Sequence, residues 1–86
     1  MQITVRKATE AEVKAFSVKP TWGCEVSEFD WFYDEREQCI LTEGEVTVEY
    51  DGGSVTFRAG DYVVFPEGLS CVWKVIKPVR KHYEFG

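Results

Sequence analysis

The sequence has little of what several protein classes require. It holds one histidine, three cysteines, and only ten basic residues against fifteen acidic ones. Three cysteines are too few, and odd in number, for the disulfide framework of a small secreted domain. A net charge of -5 argues against nucleic acid or an anionic membrane as the main partner, because both select a basic face. No apolar run approaches the ~18 residues of a spanning helix, and the amino terminus lacks a signal-peptide core. We therefore expect a cytoplasmic protein with no nucleic-acid partner and no membrane partner.

Aromatic residues, in contrast, are abundant. The 86 residues include three Trp, four Tyr and six Phe, and 44% of the chain is hydrophobic. This composition is typical of one small globular domain rather than a disordered segment. The apolar surface that so short a chain buries roughly offsets the entropy lost on folding, so a monomer would be only marginally stable. We predict a homodimer.

One stretch near the amino terminus predicts a helix. Thr9 and Glu12 have the spacing of a capping box, and the helix is expected to stop between Ser17 and Pro20. Residues 3–5 are a candidate short strand. The strand and helix within residues 1–22 are interpreted as part of the same domain as residues 23–86.

After Pro20 the pattern is that of strands and turns. Apolar residues alternate with polar ones in short runs separated by Gly or Pro turns, and Asp51-Gly52-Gly53 predicts a hairpin. Such spacing indicates a barrel or a sandwich. The predicted strands cover residues 26–33, 38–42, 46–50, 54–58, 62–65, 70–76 and 79–85, with Lys77-Pro78 expected to end the penultimate one.

A motif specifies the kind of barrel. Residues 60–71, GDYVVFPEGLSC, resemble the second cupin motif, G-x5-P-x-G-x2-H, with Cys71 in place of the histidine. Upstream, the spacing between Glu37 and Gly44 matches the end of the first cupin motif. Its two histidine positions then fall on Trp31 and Tyr33.

The resemblance implies an all-β cupin (RmlC-like) jelly-roll barrel over residues 23–86, with one short N-terminal helix. The chain is similar to the small stand-alone cupins grouped with the ureidoglycine aminohydrolase cupin domain. The similarity lies at residues 28–33 with Glu37 and Cys39, at residues 71–73, and at residues 77–83. That group implies metal-assisted release of ammonia, with manganese as the metal, and cupins often pair as dimers. All three metal-binding histidine positions are replaced here.

Alternation places a set of side chains inside the barrel, near its mouth. Trp31 and Tyr33 are expected to point inward together, as are Glu37 with Cys39 and Cys71 with Trp73. The predicted ligand-binding residues are Trp31, Tyr33, Glu37, Cys39, Cys71, Trp73 and His82.

The chemistry of these residues leaves several alternatives open. No metal is expected, because bulky aromatics fill the histidine positions; if one binds, Glu37, Cys39 and Cys71 would hold zinc or manganese. Glu37 is either a solvated turn carboxylate or a pocket carboxylate suited to general acid or base work. Cys39 and Cys71 are small buried hydrophobes, ligands or catalytic groups, or a redox pair, and Cys71 is the candidate catalytic cysteine.

The last strand leaves a further question open. Alternation places Arg80 with His82 and Lys81 with Tyr83 on opposite faces, and an inward Arg or Lys would attract a carboxylate-bearing ligand.

Taken together, the candidate residues favour a binding module for a small polar or aromatic molecule, without metal chemistry. The alternatives are a metal-dependent enzyme similar to ureidoglycine aminohydrolase, with a Glu/Cys ligand set, and a purely structural barrel.

Overall fold

The computed structural model describes residues 1–86 and folds them into seven strands and one helix. The helix α1 (Glu10–Phe16) lies between the first two strands. All strand pairs are antiparallel, which confirms the predicted all-β architecture. The strands are β1 (Thr4–Lys7), β2 (Thr21–Cys24), β3 (Ser27–Phe32), β4 (Glu37–Tyr50), β5 (Gly53–Arg58), β6 (Asp61–Phe65) and β7 (Ser70–Phe85).

Two long strands, β4 and β7, pair along nearly their whole length and take part in both layers of the barrel. The first part of β4 and the second part of β7 are flanked by β6 and β2, and β1 extends that layer beyond β6. The remaining halves are flanked by β5 and β3, which form the second layer. Side chains of alternate residues fill the space between the layers.

The predicted strand breaks within β4 and β7 are wrong. Residues 38–42 and 46–50 belong to one strand, and so do residues 70–76 and 79–85. The register between β4 and β7 shifts three times between Leu41 and Val46, and Pro78 has no partner in that register. A β-bulge leaves a residue outside the hydrogen-bond ladder, so a proline can occupy it without losing a bond. The strand therefore continues through Pro78.

Gly44 lies where the backbones of the two long strands approach each other closely. Its φ is +94°, and a Cβ atom there would lie 2.3 Å from the carbonyl oxygen of Pro78 and 2.7 Å from the Cα of Val79. Both obstacles are backbone atoms, which cannot rotate away. The glycine of the first cupin motif is therefore required sterically as well as conformationally.

We expect Gly44→Ala to lower the free energy of unfolding by about 2–3 kcal/mol, because a left-handed conformation and a steric clash add together. Gly60→Ala is the matched control. Gly60 also has a φ of +94°, but a Cβ atom at Gly60 would have no other atom within 4 Å. Urea denaturation of the two variants separates the two contributions, and equal losses would contradict the proposed close approach.

The N-terminal segment completes the barrel. Thr9 caps α1, and the reciprocal hydrogen bonds of the predicted capping box are present, which confirms that prediction. Arg6 forms a hydrogen-bonded ion pair with Glu12, and this contact, aided by the backbone N–H of Thr9, holds the pKa of Glu12 at about 2.

The single helix of the structure, α1, is too short to span a membrane.

Candidate functional site

Aromatic side chains from four strands and the segment after β3 meet at one end of the barrel. Trp73 of β7 is central. Its ring centroid lies 5.7 Å from that of Trp22, 6.0 Å from that of Phe29 and 5.7 Å from that of Phe65. Tyr33 stacks on Phe65 with the ring centroids 4.6 Å apart. Such stacked and edge-to-face pairs stabilise a fixed arrangement of rings. The cluster forms the walls of a cavity.

The cavity has a volume of about 220 Å³ and is mainly apolar. All three tryptophans of the protein line it. Its nine lining residues are Trp22, Phe29, Trp31, Tyr33, Glu37, Trp73, Lys81, Tyr83 and Phe85.

Two charged residues, Glu37 and Lys81, lie buried at this cavity. Glu37 begins β4 and Lys81 lies near the end of β7, and both side chains are only 6% exposed. The Lys81 Nζ donates to the Glu37 Oε2 across 2.5 Å. The ammonium also lies 4.9 Å from the ring centre of Trp73 and 5.2 Å from that of Trp22, within the range of cation–π attraction. Glu37 is thus neither a solvated turn carboxylate nor a lone acid in an apolar pocket, because it has a cationic partner.

Tyr33 supplies a polar group without charge. Its hydroxyl oxygen accepts a hydrogen bond from the indole Nε1 of Trp73 across 3.0 Å. Burial raises the pKa of Tyr33 well above its usual value, and the nearby Glu37 carboxylate acts in the same direction. The phenol therefore stays protonated, and its own O–H remains available as a donor.

The structure brings together only part of the predicted site. Trp31, Tyr33, Glu37 and Trp73 line the cavity, although the Trp31 side chain, expected to be inward, is 52% exposed at the mouth. Three further predicted residues do not line it. Cys39 and Cys71 are buried in the core, where Cys71 borders a second, more open depression, and His82 lies on the opposite face of β7 from Lys81.

His82 has a structural contact instead. Its Nδ1 lies 3.0 Å from the backbone oxygen of Lys19, in the segment between α1 and β2. The alternation on the last strand is thereby resolved, because Lys81 faces the interior and Arg80 is exposed.

Several residues at the cavity were not predicted, namely Trp22, Phe29, Lys81, Tyr83 and Phe85. The sequence held a signal for two of them. Cys71 and Trp73 were expected inward, and the same alternation carried on through Pro78 selects Lys81 and Tyr83. The expectation that Pro78 ends the strand interrupted that count.

The ligand set considered for a metal does not fit a metal centre. Glu37, Cys39 and Cys71 do not form a group that could hold an ion, and no other three His, Cys, Asp or Glu side chains do so. The Glu37 carboxylate accepts a hydrogen bond from the Lys81 ammonium group, whose positive charge would repel a metal ion at the same oxygen.

The buried cysteines make the protein sensitive to alkaline pH. Burial raises the pKa of the Cys39 thiol to about 12 and that of Cys71 to about 11, from an ordinary 9.0. Above pH 9 the unfolded chain loses these protons while the folded protein keeps them. The free energy of unfolding contributed by the thiols is therefore complete below pH 9 and falls as the pH rises toward 11 and 12.

We expect urea denaturation to show this decline between pH 9 and pH 11, and expect a Cys39→Ala/Cys71→Ala variant to show a shallower one. Cys24→Ala is the control, because Cys24 is only partly buried. A decline of equal slope in all three proteins would contradict the assignment to the buried thiols.

The comparisons with known proteins agree on the family. The family model described as the EutQ-like cupin domain matches residues 11–83. A DUF861 family protein from Thermotoga maritima is 44% identical, with a TM-score of 0.92, over 99% of this chain and 100% of that one. A DUF861 family protein of unknown function from Pseudomonas syringae pv. tomato is 29% identical, with a TM-score of 0.69, over 77% of this chain and 29% of that one.

A more distant likeness shows the fold alone. The EutQ protein of Clostridium difficile is 20% identical, with a TM-score of 0.71, over 96% of this chain and 66% of that one. No curated protein matches the chain. These findings confirm the small cupin jelly roll expected from the motif and do not extend to ureidoglycine aminohydrolase. Because the family match spans most of its length, the chain belongs to the EutQ-like cupin domain family.

Proposed function

We propose that this protein binds a small, neutral, single-ring molecule in its aromatic cavity, without the help of a metal. The observation that carries the proposal is the self-neutralised Lys81–Glu37 pair within an otherwise aromatic lining. Cavity volume, hydrogen-bond donors and charge each support one part of the proposal.

Volume supports a single ring. An apolar cavity of roughly 150 Å³ accommodates benzene. The cavity here measures about 220 Å³, so a six-membered ring leaves space for one small substituent. The flat indole of Trp31, half exposed at the mouth, favours a planar ligand that can stack on it.

Hydrogen-bond donors support an oxygen-bearing substituent. The Lys81 ammonium has three N–H groups, of which Glu37 accepts one. The Tyr33 hydroxyl accepts from Trp73 and keeps its own proton free. Lys81 and Tyr33 thus both have donor hydrogens without an acceptor, in a cavity that is otherwise aromatic. A ligand carbonyl or hydroxyl oxygen would therefore have a hydrogen-bond partner there.

Charge supports a neutral ligand. Glu37 and Lys81 are the only charged residues that line the cavity, and they neutralise each other. A carboxylate ligand would have to compete with Glu37 for the ammonium, and the displaced carboxylate would be buried without a partner. The inward lysine is thus no longer a reason to expect a carboxylate-bearing ligand.

Thermal denaturation with three related compounds tests the proposal. Benzamide, benzoate and benzylammonium share a ring and differ in charge. At ten times its Kd, benzamide would stabilise the protein by about 1.4 kcal/mol, which raises the Tm by roughly 6–11 °C. We expect smaller shifts from the two ions. A larger shift from benzoate, or none from any compound, would overturn the proposal.

Two variants locate the binding. Trp31→Ala removes a wall at the cavity mouth and is expected to reduce the benzamide shift strongly. Phe32→Ala is the matched control, because Phe32 is the neighbouring aromatic, is 56% exposed and does not line the cavity. The shift should therefore remain in that variant.

A further inference from the structure

We infer that the Lys81–Glu37 pair enables covalent chemistry in this cavity, namely reversible imine formation with a bound aldehyde or ketone. The inference rests on the proposed function, because the carbonyl compound must first occupy the cavity. It deepens that proposal by naming the chemical class of the ligand and the atom that it bonds to.

Lys81 differs from every other lysine of the chain in its surroundings. Of the six lysines, it alone is buried, and its Nζ lies among aromatic rings at the cavity. A lysine amine enclosed by apolar groups is the setting in which lysine acts as a nucleophile toward carbonyl carbon. The surrounding rings also exclude the bulk water that would hydrolyse an imine.

Glu37 supplies the base that such a nucleophile requires. Only the unprotonated amine can attack a carbonyl, so the ammonium must first lose a proton. The Glu37 Oε2 lies 2.5 Å from the Lys81 Nζ, which places a proton acceptor in direct hydrogen-bond contact with the reacting nitrogen. Nucleophile and base are thus paired within the cavity.

The reaction balances with these two residues and the carbonyl compound alone. The Lys81 ammonium transfers a proton to the Glu37 carboxylate, and the free amine forms a bond to the carbonyl carbon while the π electrons move to oxygen. A proton shifts from nitrogen to that oxygen, which gives a carbinolamine. The Glu37 carboxylic acid then protonates the hydroxyl group, the C–O bond breaks, and water leaves. The nitrogen electron pair completes the C=N bond, and the protonated imine faces the restored Glu37 carboxylate.

Tyr33 supplies a donor for the carbonyl oxygen. Its hydroxyl lines the same cavity and keeps a proton available. A hydrogen bond from that O–H to the carbonyl oxygen would draw electrons from the carbon and stabilise the negative charge that develops on the oxygen during attack. Tyr33 would therefore contact the reacting oxygen directly in this scheme.

Reductive trapping tests the inference on the full-length protein. We expect benzaldehyde with cyanoborohydride to add one benzyl group, and peptide mapping to locate it on Lys81. Because the bound aldehyde is held close to the amine, Lys81 should be labelled at least about tenfold faster than the exposed Lys77. Labelling spread evenly over the exposed lysines, with none at Lys81, would overturn the inference.

A variant tests the role of Glu37. Glu37→Gln keeps the shape of the side chain but cannot accept the proton, so labelling at Lys81 should slow by about tenfold or more while labelling at Lys77 stays the same. The dependence of the Lys81 labelling rate on pH should also change in this variant. An unchanged rate and pH profile would contradict the role of Glu37 as the base.

Benzyl alcohol separates this inference from the proposed function. It has the same ring and an oxygen, but no carbonyl carbon. If benzyl alcohol and benzaldehyde both raise the Tm and no adduct forms at Lys81, the binding cavity stands and the imine chemistry is refuted. If neither compound raises the Tm and no adduct forms, both proposals fail.

Discussion

Lys81→Met is expected to lower the free energy of unfolding by about 3–5 kcal/mol, because it leaves a buried carboxylate without its partner. Glu37 is 5% exposed, and the Lys81 Nζ is its only side-chain hydrogen-bond partner. Methionine has nearly the length of lysine and keeps the apolar contacts with the rings. The loss therefore measures the unpaired charge rather than a new void, and urea denaturation measures it.

Two controls define this prediction. The Glu37→Gln/Lys81→Met double variant removes both charges and should recover a large part of the loss. Lys19→Met breaks a partly exposed pair with Glu84 instead, and ion pairs in contact with water contribute about 0–1 kcal/mol. A Lys81→Met loss no larger than that of Lys19→Met would show that the buried pair does not lie in a dry environment.

Trp73→Ala is the second substitution with a large expected effect, at about 3–5 kcal/mol of unfolding free energy. The Trp73 side chain is 2% exposed and has four aromatic rings within about 6 Å, including those of Phe57 and Phe65. Alanine would leave a void between the barrel layers. It would also remove the indole N–H that donates a hydrogen bond to the Tyr33 hydroxyl. A domain of this size has only about 5–15 kcal/mol of stability, so the variant would be partly unfolded at 37 °C.

Trp31→Ala is the matched control for this prediction, since it removes the same side chain from a half-exposed position. Its cost should be smaller, about 1–2 kcal/mol, because only about half of the indole is withdrawn from water. Circular dichroism during urea denaturation compares the two. Equal losses would contradict a core centred on Trp73.

The fold was predictable because its signals are local. The period-2 pattern, the Gly and Pro turns and the spacing from Gly60 to Cys71 each concern residues close together in the chain, and all three indicate a β barrel. The same holds for the capping box of Thr9, where both partners lie within one helical turn. Local chemistry determined these features, and the structure confirms them.

The site was less predictable because its central contact is not local. Glu37 and Lys81 are separated by 44 residues, and nothing near either residue marks the other as its partner. Identifying Lys81 required counting alternate residues through Pro78, and the bulge opposite Gly44 that permits this depends on the register of two long strands. The strand Thr21–Cys24 was missed for a related reason, since four residues are too few to show a period.

The most direct test of a ligand in this cavity uses the tryptophans that line it. Trp22, Trp31 and Trp73 are the only tryptophans in the protein, so labelling the indole nitrogens gives one NMR signal for each. Titration with benzamide is predicted to shift all three signals along one saturable curve with a common Kd. A shift confined to the half-exposed Trp31 would contradict binding within the barrel. So would the absence of any shift up to the solubility limit of benzamide.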